Sequence, residues 1–73
     1  MLFGPRAGTV VASQTISIHG TSMVDVVYKL DGESEARSAR LGPEALFGLP
    51  QPGDRVIVHL LMNVVTRIER EAS

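Results

Sequence analysis

Apolar and polar residues alternate along most of this chain with a period of two, the repeat of strands rather than helices. Thr9-Val10-Val11-Ala12 opens the pattern, and residues 14–18 continue it, Ile16 and Ile18 alternating with Thr15 and Ser17. His19-Gly20-Thr21-Ser22 has the chemistry of a turn. From Met23 onward, Val24, Val26, Tyr28 and Leu30 fall on one face, with Met23, Asp25, Val27 and Lys29 on the other, which predicts a half-buried strand. Asp31-Gly32 follows; both residues tolerate positive φ, so a hairpin is predicted, returning over about residues 35–41. Residues 43–48 (PEALFG) predict one helical turn, because proline suits the first helical position, Glu44 complements the helix dipole and Gly48 can end the turn. Residues 49–54 (LPQPGD) hold two prolines and a glycine and cannot form a central strand. Residues 56–61 (VIVHLL) are apolar on both faces except at His59, and Met62-Asn63 predicts a tight turn or a bulge. The last strand spans residues 64–69, with Val64, Thr66 and Ile68 on one side and Val65, Arg67 and Glu69 on the other. Residues 70–73 read as a polar tail.

Three strands, a helical turn and two more strands predict an all-β fold, a five-stranded OB-like barrel with the turn between strands 3 and 4. With 73 residues the chain makes one domain, residues 1–73, and at this size only about 60% of the unfolded surface can be buried. Hydrophobic residues at 44% and charged residues at 21% are an ordinary globular balance. Cysteine is absent, which removes disulfides and thiolate metal sites, and two histidines without cysteine do not make a structural zinc site. No metal or cofactor is therefore expected. Of the usual staples of a small fold, self-association remains, so a homo-oligomer is expected, with a different protein as a second candidate partner. A formal net charge of −1 disfavours nucleic acid as a partner. No apolar run approaches the ~18 residues of a membrane span, and the N-terminus lacks a signal peptide's layout. The expectation is a cytoplasmic protein without a membrane partner.

From Val24 to Val65 the chain resembles the molybdate-binding TOBE or molbindin barrels. The resemblance lies in Val26-Val27, Leu30, Gly32, Glu44, Pro52-Gly53-Asp54, Val56, Val58, Leu60 and Val65, with Gly8-Thr9-Val10 similar to their first strand. It implies an oxyanion-binding barrel, but where that family carries Lys-Ala-Ser this chain has Leu61-Met62-Asn63. Gly53, Asp54, Val56, Val58 and His59, with Glu71-Ala72, are similar to the HypC class of hydrogenase-maturation chaperones. That likeness implies contact with a metalloenzyme precursor, His59 lying at the contact; Leu2 stands where the class has its cysteine. Residues 8–13 (GTVVAS) with 52–58 (PGDRVIV) are also similar to pentameric microcompartment vertex proteins.

Candidate chemistry is sparse. His59 is the one polar residue in an aliphatic run, and a lone histidine defines no site. No nucleophile motif with an adjacent base accompanies the serines and histidines, and Asp31 and Asp54 sit where turns demand them. A non-enzymatic protein is expected. Arg37, Arg40, Arg55 and Arg67 are the candidates for an anion or nucleic-acid surface, and Arg37 and Arg40 with Tyr28 for a single-stranded nucleic-acid contact, since barrels of this kind combine basic grooves with stacking aromatics. Tyr28 alternates in phase with core residues, however, and acidic residues dilute the positive field. The two-faced strand is more informative. A small barrel needs only one apolar face per strand, so Ile57, His59 and Leu61, with Met62 and Val65, are expected to form an exposed patch and hence an interface. The sequence thus predicts a binding or assembly module that self-associates through residues 56–61.

Overall fold

The structure is a computed structural model that describes residues 3–72. Five strands, β1 (Gly4–Ile18), β2 (Thr21–Leu30), β3 (Arg37–Leu41), β4 (Arg55–Leu61) and β5 (Val64–Arg70), form one antiparallel sheet in the order β3-β2-β1-β4-β5. A single 3-10 turn, Pro43–Ala45, lies between β3 and β4, with Pro43 at its start. Strand content and the position of the turn match the sequence pattern.

The expected OB-like barrel is not formed. Closure needs a ladder between β3 and β5, and none joins them among the described residues, so the sheet stays open. Two features accompany this. The return strand is shorter than its expected span and offers five residues of backbone. The helical turn packs against both β2 and β5, and β3 and β5 come near one another at this side without a ladder between them.

Strand β1 is the spine. The expected first strand, over residues 9–18, begins earlier, at Gly4, and runs for 15 residues, pairing with β4 over its first part, Gly4↔Leu60 to Thr9↔Arg55, and with β2 from Gly8↔Leu30 to Ile18↔Thr21. Only Gly8 and Thr9 are paired on both sides. Glycine is needed at this crossing, because a Cβ on Gly8 would stand 2.6 Å from the backbone oxygen of Lys29. The register shifts between Val10 and Ala12, placing a bulge where the loop before β4 takes over from β4 itself. There Val10 N–H donates to the carbonyl of Asp54 (2.9 Å) and Gly53 N–H to that of Val10 (2.8 Å).

One face of the sheet carries the core: Val10, Val24, Val26, Tyr28, Leu30, Leu41, Val56, Val58, Leu60 and Ile68 are all buried. Their spacing of two along β2 and β4 is the alternation read from the sequence. Ala45, Leu46 and Phe47 cap this face from the segment after β3, and Arg70 lies over the Phe47 ring with its guanidinium 4.8 Å from the ring centre.

Turn chemistry departs from expectation at one place. At Asp31-Gly32 only Gly32 has positive φ, and β3 starts at Arg37, so the hairpin is not a two-residue one. His19-Gly20 and Met62-Asn63 are the tight turns: both residues of each pair have positive φ (51° and 80°; 52° and 69°), the backbone of a type I′ hairpin. Arg70 ends β5, and Glu71 N–H donates to the carbonyl of Arg55 (3.0 Å), so the first two residues of the expected polar tail are held to the sheet. Ser73 lies outside the described residues.

Candidate functional site

The expected patch divides between the two faces of the sheet. Val56, Val58 and Leu60 are buried, and Ile57, His59 and Leu61 point to the other face. Ile57 and His59 are half-buried, flanked in register by Ala7 and Glu69, and by Pro5 and Arg67. Val65 does not join them. The register shifts between His59 and Leu60, so that Leu60 pairs with Val65 while His59 pairs with Arg67, and Thr66 is the extra residue. One inserted residue reverses the phase of a strand. Val65 therefore shares the inner face with Ile68 and packs on the core, on the side opposite to the one its sequence alternation assigned.

The exposed apolar residues gather instead at the β4–β5 turn. Leu61 is 56%, Met62 58% and Val64 63% exposed, and Phe3, also 56% exposed, precedes the Gly4↔Leu60 pair at the same end of the sheet. Met62 occupies the first turn position with φ 52°, a conformation that asparagine or glycine adopts readily and methionine does not. Val64 and Phe3 had no place in the sequence-based patch. The register that sets them beside Leu61 is a product of the fold, although a two-residue Met-Asn turn already implied that Leu61 faces Val64.

Around His59, Arg67 and Glu69 form an ion pair at 2.6 Å. The His59 ring nitrogen Nε2 stands 3.5 Å from both Arg67 Nη2 and Glu69 Oε2. The histidine thus sits beside the Arg67–Glu69 pair, with Glu69 as its acidic neighbour and Arg67 as its basic one. Among the described residues no group of three His, Cys, Asp or Glu side chains is placed to hold a metal ion.

Arg37, Arg40 and Tyr28 do not come together. Tyr28 is buried on the core face and offers no free ring for stacking; burial raises its phenol pKa. Arg37 pairs in register with Tyr28, and Arg40 pairs with Asp25, so the two arginines project to opposite faces. Both are engaged through two nitrogens, Arg37 with Glu33 (2.8 and 3.1 Å) and Arg40 with Asp25 (2.8 and 3.2 Å). These hydrogen bonds lower the carboxyl pKa values of Glu33 and Asp25. A hollow of about 510 Å³ on the outer face, lined by Ala12, Gln14, Asp25, Val27, Ser38 and Arg40 among others, holds the second pair. Arg55, a third arginine of the expected anion or nucleic-acid surface, is likewise engaged by its neighbours. It binds Asp31 (2.6 and 2.7 Å), Glu71 (2.9 Å) and Thr9 (2.9 Å), tying the hairpin turn after β2 and the end of β5 to the spine.

Compared with protein-family models, curated proteins and solved structures, the chain matches none. The likeness to TOBE or molbindin barrels and to HypC chaperones is thereby corrected: no family match supports it, and the sheet lacks the closed barrel those likenesses imply. The residues behind them, Gly32, Pro52-Gly53-Asp54 and the alternating valines, are turn and core positions that an open antiparallel sheet needs equally. No helix among the described residues is long and apolar enough to cross a membrane.

Proposed function

We propose that the chain is a binding and assembly module that self-associates through the outward face of β4 and the β4–β5 turn. The observation that carries this reading is the adjacency of Leu61, Met62 and Val64, each more than half exposed, at a turn whose backbone is left-handed at Met62. Large apolar side chains grouped on a surface favour burial against a partner, at about 25 cal/mol per Å² removed from water. Local packing does not account for Met62 at a position suited to glycine. Ile57 and His59 extend the patch along β4, and the Arg67–Glu69 pair forms a polar rim. The segment after β3 covers the opposite, inner face and leaves this one open.

Sedimentation of the full chain over a range of concentrations tests the reading. The weight-average mass should rise with concentration, and Leu61→Asp should lower it at matched concentration while leaving the thermal midpoint unchanged at dilutions where both proteins are monomeric, since Leu61 is outside the core. Equal association of Leu61→Asp and wild type would remove this face as an interface.

A further inference from the structure

Several strand edges of this sheet lack a ladder partner, and three of them differ in how they are protected. The β5 edge carries Arg67, Glu69 and Arg70 and a bulge at Thr66. The β3 edge is five residues long and carries Arg37 and Arg40. Charges, bulges and shortness are the usual means of keeping edges from pairing. The third edge has none of them. Beyond Ser13, whose hydroxyl donates to the carbonyl of Pro50, β1 runs on over residues 14–18 with β2 on one side only. This forms a two-stranded arm that projects past β3 and β4, because β3 pairs with β2 only from Val24 to Tyr28. Between Arg6 and Asp25 there is no Asp, Glu, Lys or Arg.

We propose that this edge of β1 pairs antiparallel with the same edge of a second copy, about a two-fold axis at Ile16. An isologous contact needs a self-complementary strand, and in a continuous sheet paired residues must share a face, so the axis has to pass through a residue. Centred at Ile16, the register sets Ile16 against Ile16 of the second copy, Thr15 against Ser17, and Gln14 against Ile18. Hydroxyl pairs and aliphatic pairs of this kind are favourable cross-strand neighbours. Met23 is the register partner of Ile16 on β2, so Ile16, Ile18 and Met23 of both copies join in one apolar stripe. Charge supports a second copy as occupant: the edge residues 14–18 bear no charge to oppose their own image, whereas the β3 and β5 edges carry arginines. Five residues of edge cover far less than the ~800 Å² per partner of a standard interface, so the contact is weak and fills at high concentration. It is independent of the β4 face.

The absence of cysteine makes a direct test available. Directly opposed residues of an antiparallel pair have Cα atoms about 4.5–5.5 Å apart, within the ~4.4–6.8 Å a disulfide spans. Ile16→Cys in the full chain should cross-link into a covalent dimer under mild oxidation. Ile18→Cys, more exposed but offset from the axis, should not. Ile16→Lys and Ile16→Glu should each lose the contact through like charges at the axis, and an equimolar mixture of the two should recover it. Leu61→Asp should leave the Ile16→Cys cross-link intact, which separates this contact from the one at the β4–β5 turn. Equal cross-linking at positions 16 and 18, no cross-linking at 16, or no recovery in the mixture overturns the proposal. So does an arm whose amides gain exchange protection only when an unrelated extended peptide is added.

Discussion

At one end of β1, the β4–β5 hairpin turns through Met62 and Asn63; at the other, the β1–β2 arm turns through His19 and Gly20. Both turns have two successive residues in left-handed backbone, as the right-handed twist of the strands requires. Their surroundings differ. The β4–β5 hairpin continues into strands whose inner residues, Val58, Leu60, Val65 and Ile68, are in or against the core, and its exposed apolar residues crowd the turn. The arm contributes no residue between Ser13 and Met23 to the core, and its apolar residues lie along its length. One hairpin is anchored and has an apolar tip; the other stands outside the core and has a bare edge. The same turn geometry therefore serves two different surroundings, set by where the chain places its apolar side chains.

The largest effect that separates the two hairpins is on stability. Leu60→Ala should cost about 2–5 kcal/mol, the range for emptying a packed aliphatic site. Ile16→Ala in the arm should cost about 1 kcal/mol or less, because its side chain is outside the core. Denaturant titration of both variants measures this, and similar losses would mean that the arm is part of the cooperative unit. A smaller effect lies in the turns. Met62→Gly should stabilise the fold by about 0.5 kcal/mol, because relief of the left-handed strain outweighs the added flexibility of the unfolded chain. Gly20→Ala should destabilise it by about 1 kcal/mol, since φ at Gly20 is 80°. Thermal midpoints moving in the same direction would break the comparison.

The smallest effect concerns pH and the anchored part of the sheet. Burial raises the Tyr28 pKa in the folded state. Stability from the neutral phenol is then complete below the unfolded value of about 10, and it falls as pH rises through the folded value, because the unfolded chain releases its proton first. Tyr28→Phe should flatten the loss of stability above that pH, whereas the arm, with no tyrosine, should open without such a dependence. Hydrogen exchange of the two hairpins across that range reads both.

Much of this fold was legible because β2 and β4 obey a strict period of two. Val24 to Leu30 and Val56 to Leu60 fell on the core face where the alternation put them. Closure was not legible, since it depends on a ladder between β3 and β5, and no local pattern states whether two distant strands will meet. The side of Val65 was missed for a different reason. A bulge at Thr66 leaves no signature in a segment of alternating Val, Thr and Ile, and one extra residue moves everything beyond it to the other face. Of the patch, Ile57, His59 and Leu61 fell on the outward face, as assigned from their alternation in β4, while Val64 and Phe3 depended on register. The paired state of Arg37 and Arg40 was likewise invisible, because their acidic partners come from a neighbouring turn and from the strand beside β3.

Strand β1 joins its two neighbours through Gly8 and Thr9 alone. A pull applied between the two hairpin tips would enter through β4, cross the ladder between β4 and the first part of β1, and run along β1 to its end at Ile18. That ladder would be loaded in shear, with its hydrogen bonds resisting together instead of being peeled open one after another.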